Sequence, residues 1–107
     1  MAIKIKQGDR YELPVAIELG GSALTPERVD TVEFMLGDVR KCYPGEVRFE
    51  PEDESFRLPI AQEESFAWPE GETLWLDLRV KFPGGDVIGA EKKLGLAVVG
   101  AQSTEVI

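Results

Sequence analysis

The chain has 107 residues, 43% of them hydrophobic, and its 20 Asp and Glu against 12 Lys and Arg give a formal net charge of −8. This length and composition predict one globular domain. The acidic field repels phosphate, so we expect no binding to nucleic acid or to an anionic membrane surface. The single cysteine, Cys42, excludes an intramolecular disulfide and favours a reducing compartment.

Apolar and polar residues alternate in almost every segment. In chain order, the alternating runs cover 3–6, 11–19, 32–36, 47–49, 56–60, 74–82 and 94–98. A strand places successive side chains on opposite faces, so each run predicts a strand with one apolar and one polar face. This pattern is typical of antiparallel sheets that are buried on one side.

Turn residues separate the runs. They are Gly20-Gly21-Ser22, Tyr43-Pro44-Gly45, Pro51-Glu52-Asp53-Glu54, Pro69-Glu70-Gly71 and Pro83-Gly84-Gly85-Asp86. Two pieces are predicted to be helical: a capped turn over Thr25–Arg28, and about two turns over Ala61–Trp68 that end before Pro69. Pro14 and Pro59 lie inside strand-like runs and lack a ladder donor, so they predict sheet edges or bulges.

The runs and turns together predict an all-β fold. We expect an antiparallel immunoglobulin-like β-sandwich of about seven to eight strands with one or two short helical turns. A small barrel is the alternative. The domain is expected to cover residues 1–100, with a tail over 101–107. The predicted core includes Phe34, Phe56, Leu76 and Leu78, because each lies within a run on its apolar side.

The usual catalytic and metal-binding groups are scarce. The chain has no histidine, which removes the commonest general base and the commonest transition-metal ligand. Cys42 therefore has no histidine to activate it and is interpreted as a half-buried residue on a strand. The acidic segment Glu50–Glu54 has calcium-type oxygen ligands, but a solvated hairpin loop is the favoured interpretation. We expect no enzyme activity and no cofactor or metal.

The polar side of the long run is the candidate interaction surface. Trp75, Asp77, Arg79 and Lys81 share one side of the predicted strand, and Trp and Arg are the commonest binding anchors. Trp68 is a further candidate for the same surface. The alternatives are that Trp75 covers a sheet edge or packs beneath the loop that holds Trp68, and that Asp77 and Arg79 simply pair with each other.

Several segments resemble a known class of protein. They are 6–11, 24–26, 31–36, 56–65 and 78–89, with a Gly8-Asp9 opening before an aromatic residue and a Leu24-Thr25 step. In this order they resemble small phage and prophage proteins of the immunoglobulin-like type, such as the N-terminal domain of phage baseplate upper proteins. The hairpin here reads Pro83-Gly84-Gly85-Asp86 where that family has Pro-Asp-Gly. The resemblance implies a structural part of a tail or baseplate with no catalytic residues.

Three classes of function follow from these observations. The favoured one is a non-enzymatic structural or protein-interaction module of a phage or prophage, which contacts other phage structural proteins or itself. The alternative is a carbohydrate-binding module that uses exposed tryptophans; a small enzyme is least favoured. No apolar run reaches the ~20 residues that span a bilayer, and residues 1–6 do not form a signal peptide, so the host cytoplasm or the virion is expected.

Overall fold

The structure of the chain is a computed structural model, and it describes residues 3–8, 10–90 and 94–99. The strands are β1 Ile3–Lys6, β2 Tyr11–Val15, β3 Glu18–Leu19, β4 Ser22–Ala23, β5 Thr31–Leu36, β6 Val39–Tyr43, β7 Arg48–Glu50, β8 Ser55–Ile60, β9 Thr73–Lys81, β10 Val87–Gly89 and β11 Leu94–Val99. A 3₁₀ turn covers Pro26–Arg28, and helix α1 covers Gln62–Phe66.

The strands form two main sheets. The larger has the order β1-β11-β9-β5-β6, with β10 also paired to β9, and the smaller has the order β2-β8-β7. Strands β10 and β11 pair with successive stretches of β9, and β1 runs parallel to β11. The short hairpin of β3 and β4 stands apart from both sheets. All described pairs except β1–β11 are antiparallel.

The inner faces of the two sheets share one core. Phe34 on β5 and Phe56 on β8 are both fully buried, with ring centroids 6.0 Å apart. Phe56 also makes edge contacts with Tyr43 and Phe49, at 5.1 and 5.0 Å. Four aromatic rings from four strands thus join the sheets, in arrangements that aromatic pairs prefer.

The strand order defines an immunoglobulin-like β-sandwich. Strands β2, β8 and β7 take the places of strands B, E and D, and β5, β6 and β9 take those of C, C′ and F. The final strand G is divided between β10 and β11. The predicted fold class is therefore confirmed, although the described residues contain eleven strand segments rather than seven or eight.

Both prolines inside strands occupy positions at which the missing N–H removes no hydrogen bond between strands. Pro59 is opposite Glu12 and Pro14 is opposite Arg57, two positions apart, so both pairs belong to the same class of the antiparallel alternation. In the non-hydrogen-bonded class, each proline nitrogen points away from the partner strand. Pro14 then faces the open edge of β2, and Pro59 faces a gap beyond the last paired residue of β7, Arg48. The edge prediction is confirmed for Pro14, because β2 is an edge strand, and is wrong for Pro59, because β8 lies between β2 and β7.

Several details differ from the sequence predictions. The run over 11–19 divides after Val15, because the chain turns there into the β3–β4 hairpin. Strand β6 is missing from the predicted alternating runs, although Cys42 was placed on a strand. The reason is that Lys41 occupies an inward position in the middle of its alternation. Leu78 is only half-buried, whereas Leu76 is buried as expected. Thr25 provides no side-chain cap to the 3₁₀ turn. The proposed tail over 101–107 lies outside the described residues.

Candidate functional site

The candidate surface is the side of the large sheet that faces away from the core. Along β9, Leu76, Leu78 and Val80 point toward the core side, and the residues that alternate with them point outward. We call the outward-facing side chains of β5, β6, β9 and β10 the outer face. It consists of Thr31, Glu33, Met35, Arg40, Cys42, Thr73, Trp75, Asp77, Arg79, Lys81 and Val87. The prediction that 75, 77, 79 and 81 share one face is confirmed.

Two large apolar side chains are exposed on the outer face. Trp75 is 55% exposed and Val87 is 56% exposed, the highest values among the large exposed hydrophobic residues that the structure describes. Trp75 is opposite Gly95 of β11, which has no side chain to cover the indole ring. The alternative in which Trp75 packs beneath a loop is therefore wrong. Val87 is opposite Lys81, at the other end of the same face.

Trp68 does not belong to this surface, and that part of the prediction is wrong. Its side chain is 3% exposed and belongs to the core. The helix α1 and the following turn bring it inward, where its Nε1 lies 3.9 Å from the position that a Cβ on Gly37 would occupy. Its carbonyl accepts a 2.8 Å hydrogen bond from Gln7 Nε2. Apolar periodicity could not reveal this, because Trp68 follows a helix and precedes a turn.

A row of ion pairs crosses the centre of the outer face. Arg79 contacts Glu33 Oε1 through Nε at 2.9 Å and Nη2 at 2.7 Å, and Arg40 Nε contacts Oε2 at 2.6 Å. The hydrogen bonds from Arg40 and Arg79 hold the pKa of the Glu33 carboxyl below its usual value, against the effect of burial. Arg79 therefore pairs with the neighbouring strand and not with Asp77, whose Oδ1 accepts from the Leu78 backbone N–H.

The charged groups of the outer face differ in their exposure to solvent. The side chains of Arg40 and Arg79 are 58% and 62% exposed, whereas that of Glu33 is 14% exposed. Lys81 is exposed and Asp77 is half-buried. Three cations and two carboxylates point outward from these four strands, so the outer face has a formal charge of +1. The whole chain, in contrast, has a formal net charge of −8. The three cations are thus exposed on this surface together with Trp75 and Val87.

The outer face holds no arrangement that is typical of catalysis. Cys42 is half-buried on β6 opposite Glu33, as its interpretation predicted. The described residues contain no group of three His, Cys, Asp or Glu side chains that could hold a metal ion. In the acidic turn between β7 and β8, Asp53 is already engaged by Ser55 at 2.6 Å and Arg57 at 2.5 Å. That turn is therefore a hairpin connection with local ion pairing.

A concave region lies between the two sheets, beside β2. It is a mostly apolar groove of about 550 Å³, and its lining includes Val15, Ile17, Leu78, Val80 and Ile88. Leu78 is half-buried because it faces this groove. Nothing among the described residues shows what covers it.

On the side of the sandwich opposite this groove, Lys41 of β6 connects the two sheets. Lys41 Nζ donates to the Pro59 carbonyl at 2.9 Å and to Glu64 Oε1 at 2.8 Å. The same Glu64 oxygen accepts from the Ala61 N–H at the start of α1, at 2.8 Å. Lys41 thus provides the donor that a longer β7 would have given to Pro59. Its inward position joins β6, β8 and α1.

Comparisons with known proteins add little to this description. No family model matches the chain, and no curated protein sequence matches it. Among solved structures, the chain is similar to the first Ig-like domain of human CD48 antigen, with 16% sequence identity and a TM-score of 0.37. The match covers 99% of this chain and 88% of that chain. No helix in the described part of the chain is long and apolar enough to cross a membrane.

Proposed function

We propose that this protein is a non-enzymatic interaction module that contacts its partner through the outer face. The observation that supports this is the exposure of Trp75 and Val87 at opposite ends of one sheet surface. Large exposed apolar side chains on a rigid surface are typical of contact sites, and Trp and Arg dominate their energetics. Both residues lie on strands, so their positions are fixed before a partner arrives.

The ion pairs between the two apolar residues favour the same function. Because Glu33 holds both Arg40 and Arg79, these side chains lose less conformational freedom when a partner binds. Arg guanidinium groups remain able to donate to a partner while they are paired, since each has five N–H donors. The centre of the outer face is therefore preorganised for recognition.

We further propose that the partner is a structural protein of a phage or prophage tail or baseplate. This part of the proposal rests on the sequence resemblance described above. A non-enzymatic module with a preorganised contact face is compatible with such a role. The neighbourhood of the gene provides an independent check, since tail, tape-measure or lysin genes beside it would agree with the proposal.

The experiment replaces the natural gene by variants and measures incorporation into particles. Trp75→Ser with Val87→Ser removes both exposed apolar residues of the outer face. Leu19→Ser with Ile88→Ser is the matched control, because these side chains are 39% and 46% exposed but lie off that face. Quantitative mass spectrometry of gradient-purified particles should show at least a tenfold loss for the first variant only. Equal incorporation of both variants, or absence of the natural protein from particles, would contradict the proposal.

Carbohydrate binding is the second candidate, and the exposure of Trp75 is the observation that favours it. Burial of Trp68 leaves the described part of the chain with one exposed indole. Its neighbours on the outer face include Gly95, Thr73 and Asp77 rather than a second aromatic ring. Titration of Trp fluorescence with soluble oligosaccharides distinguishes the two functions. Saturable quenching that Trp75→Ser abolishes would favour the carbohydrate module.

A further inference from the structure

The outward-facing residues of β9 form a pattern that is complementary to its own reverse. In order they are Trp75, Asp77, Arg79 and Lys81, and Leu78 is the midpoint between the first and the last. When a second copy of β9 runs in the opposite direction across the first, Trp75 faces the partner copy's Lys81, and Asp77 faces its Arg79. Each of these contacts occurs twice, because the arrangement is symmetric.

We propose that two copies of the chain associate through their outer faces, with a two-fold axis between the faces and perpendicular to β9 at Leu78. This inference rests on the proposed function of the outer face and names a second copy as its occupant. Two-fold interfaces use the same patch on both subunits, so the patch must be self-complementary. The charges along β9 are self-complementary only when the two copies of the strand run in opposite directions.

The rival arrangement has its two-fold axis along β9. It would place Arg79 on Arg79, Lys81 on Lys81 and Asp77 on Asp77, so that every charged residue of the strand faces its own kind. Like-charge juxtaposition across an interface costs several kcal/mol. In the perpendicular arrangement, the same groups form two Asp–Arg pairs and two contacts between a lysine and the face of an indole ring. Electrostatics therefore selects the perpendicular axis.

The apolar side chains agree with this choice. Val87 is opposite Lys81 on the neighbouring strand, so it lies at the end of the outer face that meets the partner's Trp75. Trp75 and Lys81 each lie about 10 Å from Leu78 at a strand rise of ~3.3 Å per residue. The exposed indole of each copy thus packs against Lys81 and Val87 of the other. Both of the most exposed apolar residues become covered.

Charge swapping tests the proposed contact directly, with analytical ultracentrifugation as the readout. Asp77→Arg places two arginines opposite each other at both contacts, and Arg79→Asp with Glu33→Gln places two aspartates there. The Glu33 change removes the like charge that the new aspartate would otherwise meet on β5. Each variant alone should dimerise at least tenfold more weakly than the natural protein. An equimolar mixture should form heterodimers, because both contacts again join opposite charges.

Spin labels provide a measurement that leaves the contact residues intact. Thr73 is exposed at one end of β9, five residues from Leu78, and can carry a label as Thr73→Cys in a Cys42→Ser background. The perpendicular axis predicts a distance between labels of roughly 35 Å, from ten residues at ~3.4 Å each. An axis along β9 predicts roughly 10 Å, the spacing of stacked sheets. The shorter distance would overturn the proposed arrangement.

Salt dependence separates this association from simple charge attraction. Each copy carries −8, so long-range repulsion opposes dimerisation at low ionic strength. The Debye length falls from about 30 Å at 0.01 M to about 8 Å at 0.15 M, and dimerisation should strengthen over that range. A natural protein that remains monomeric at millimolar concentration and 0.15 M salt would overturn the inference. The particle-incorporation experiment would still test the outer face as a contact site for other proteins.

Discussion

Replacement of Lys41 by methionine tests how the two sheets are held together beside β6. Methionine retains an apolar stem of similar length but removes the ammonium group, which donates to the Pro59 carbonyl and to Glu64. A hydrogen bond to a charged group contributes about 1.5–3 kcal/mol. Glu64 keeps its bond to the Ala61 N–H, and its side chain is 26% exposed, so water compensates part of the loss. We expect Lys41→Met to lower the free energy of unfolding by about 2 kcal/mol.

The pH dependence identifies the cause of that loss. Burial raises the pKa of Glu64, but the hydrogen bonds from Lys41 and the Ala61 N–H outweigh it and hold the pKa below its usual value of 4.5. A lowered pKa in the folded state contributes stability above pH 4.5, and this contribution disappears as the pH falls through the folded value. The difference between natural protein and Lys41→Met should therefore be full at pH 7 and should shrink below about pH 4.

Urea unfolding followed by far-UV circular dichroism measures these quantities, since it gives the free energy and the slope together. At pH 7 the loss corresponds to roughly 10 °C in Tm for a domain of this size. Lys41→Met with Glu64→Gln should recover part of the stability, because the half-buried side chain at position 64 is then neutral. A deficit of the same size at pH 3 and pH 7 would refute the reasoning, as would a variant as stable as the natural protein.

Three further predictions concern the core, a turn and ligands. Leu76→Ala should cost about 2–5 kcal/mol by chemical denaturation, and Leu78→Ala clearly less, because Leu78 is half-buried beside the groove; equal losses would mean that the groove is closed in solution. Gly37→Ala should cost more than about 1 kcal/mol, since Gly37 has φ of +59° and a new Cβ would lie 3.3 Å from Leu74 Cδ2; an unchanged Tm would contradict this. Calcium or zinc should leave the Tm unchanged in differential scanning fluorimetry, and a calcium-dependent rise of several degrees would assign a site to Glu50–Glu54.

Alternation along the chain was sufficient to predict the faces of most strands. Strand geometry is local, so a period of two already places Phe34 and Phe56 inward. It also places Trp75, Asp77, Arg79 and Lys81 outward. The helix before Pro69 is likewise visible from local signals. The sandwich itself follows from many short alternating runs that must each bury one face.

Contacts between segments that are distant in the sequence were determined only by the tertiary structure. The alternation did not reveal β6, because Lys41 occupies an inward position. Only its acceptors, 18 and 23 residues away in sequence, make that burial tolerable. Burial of Trp68 likewise depends on how the segment after α1 returns to the core. Glu33 replaced Asp77 as the partner of Arg79 because strand register, and not sequence proximity, determines which side chains are neighbours across a sheet. Periodicity specifies which way a side chain points, whereas its contacts depend on the pairing of strands that are remote in the chain.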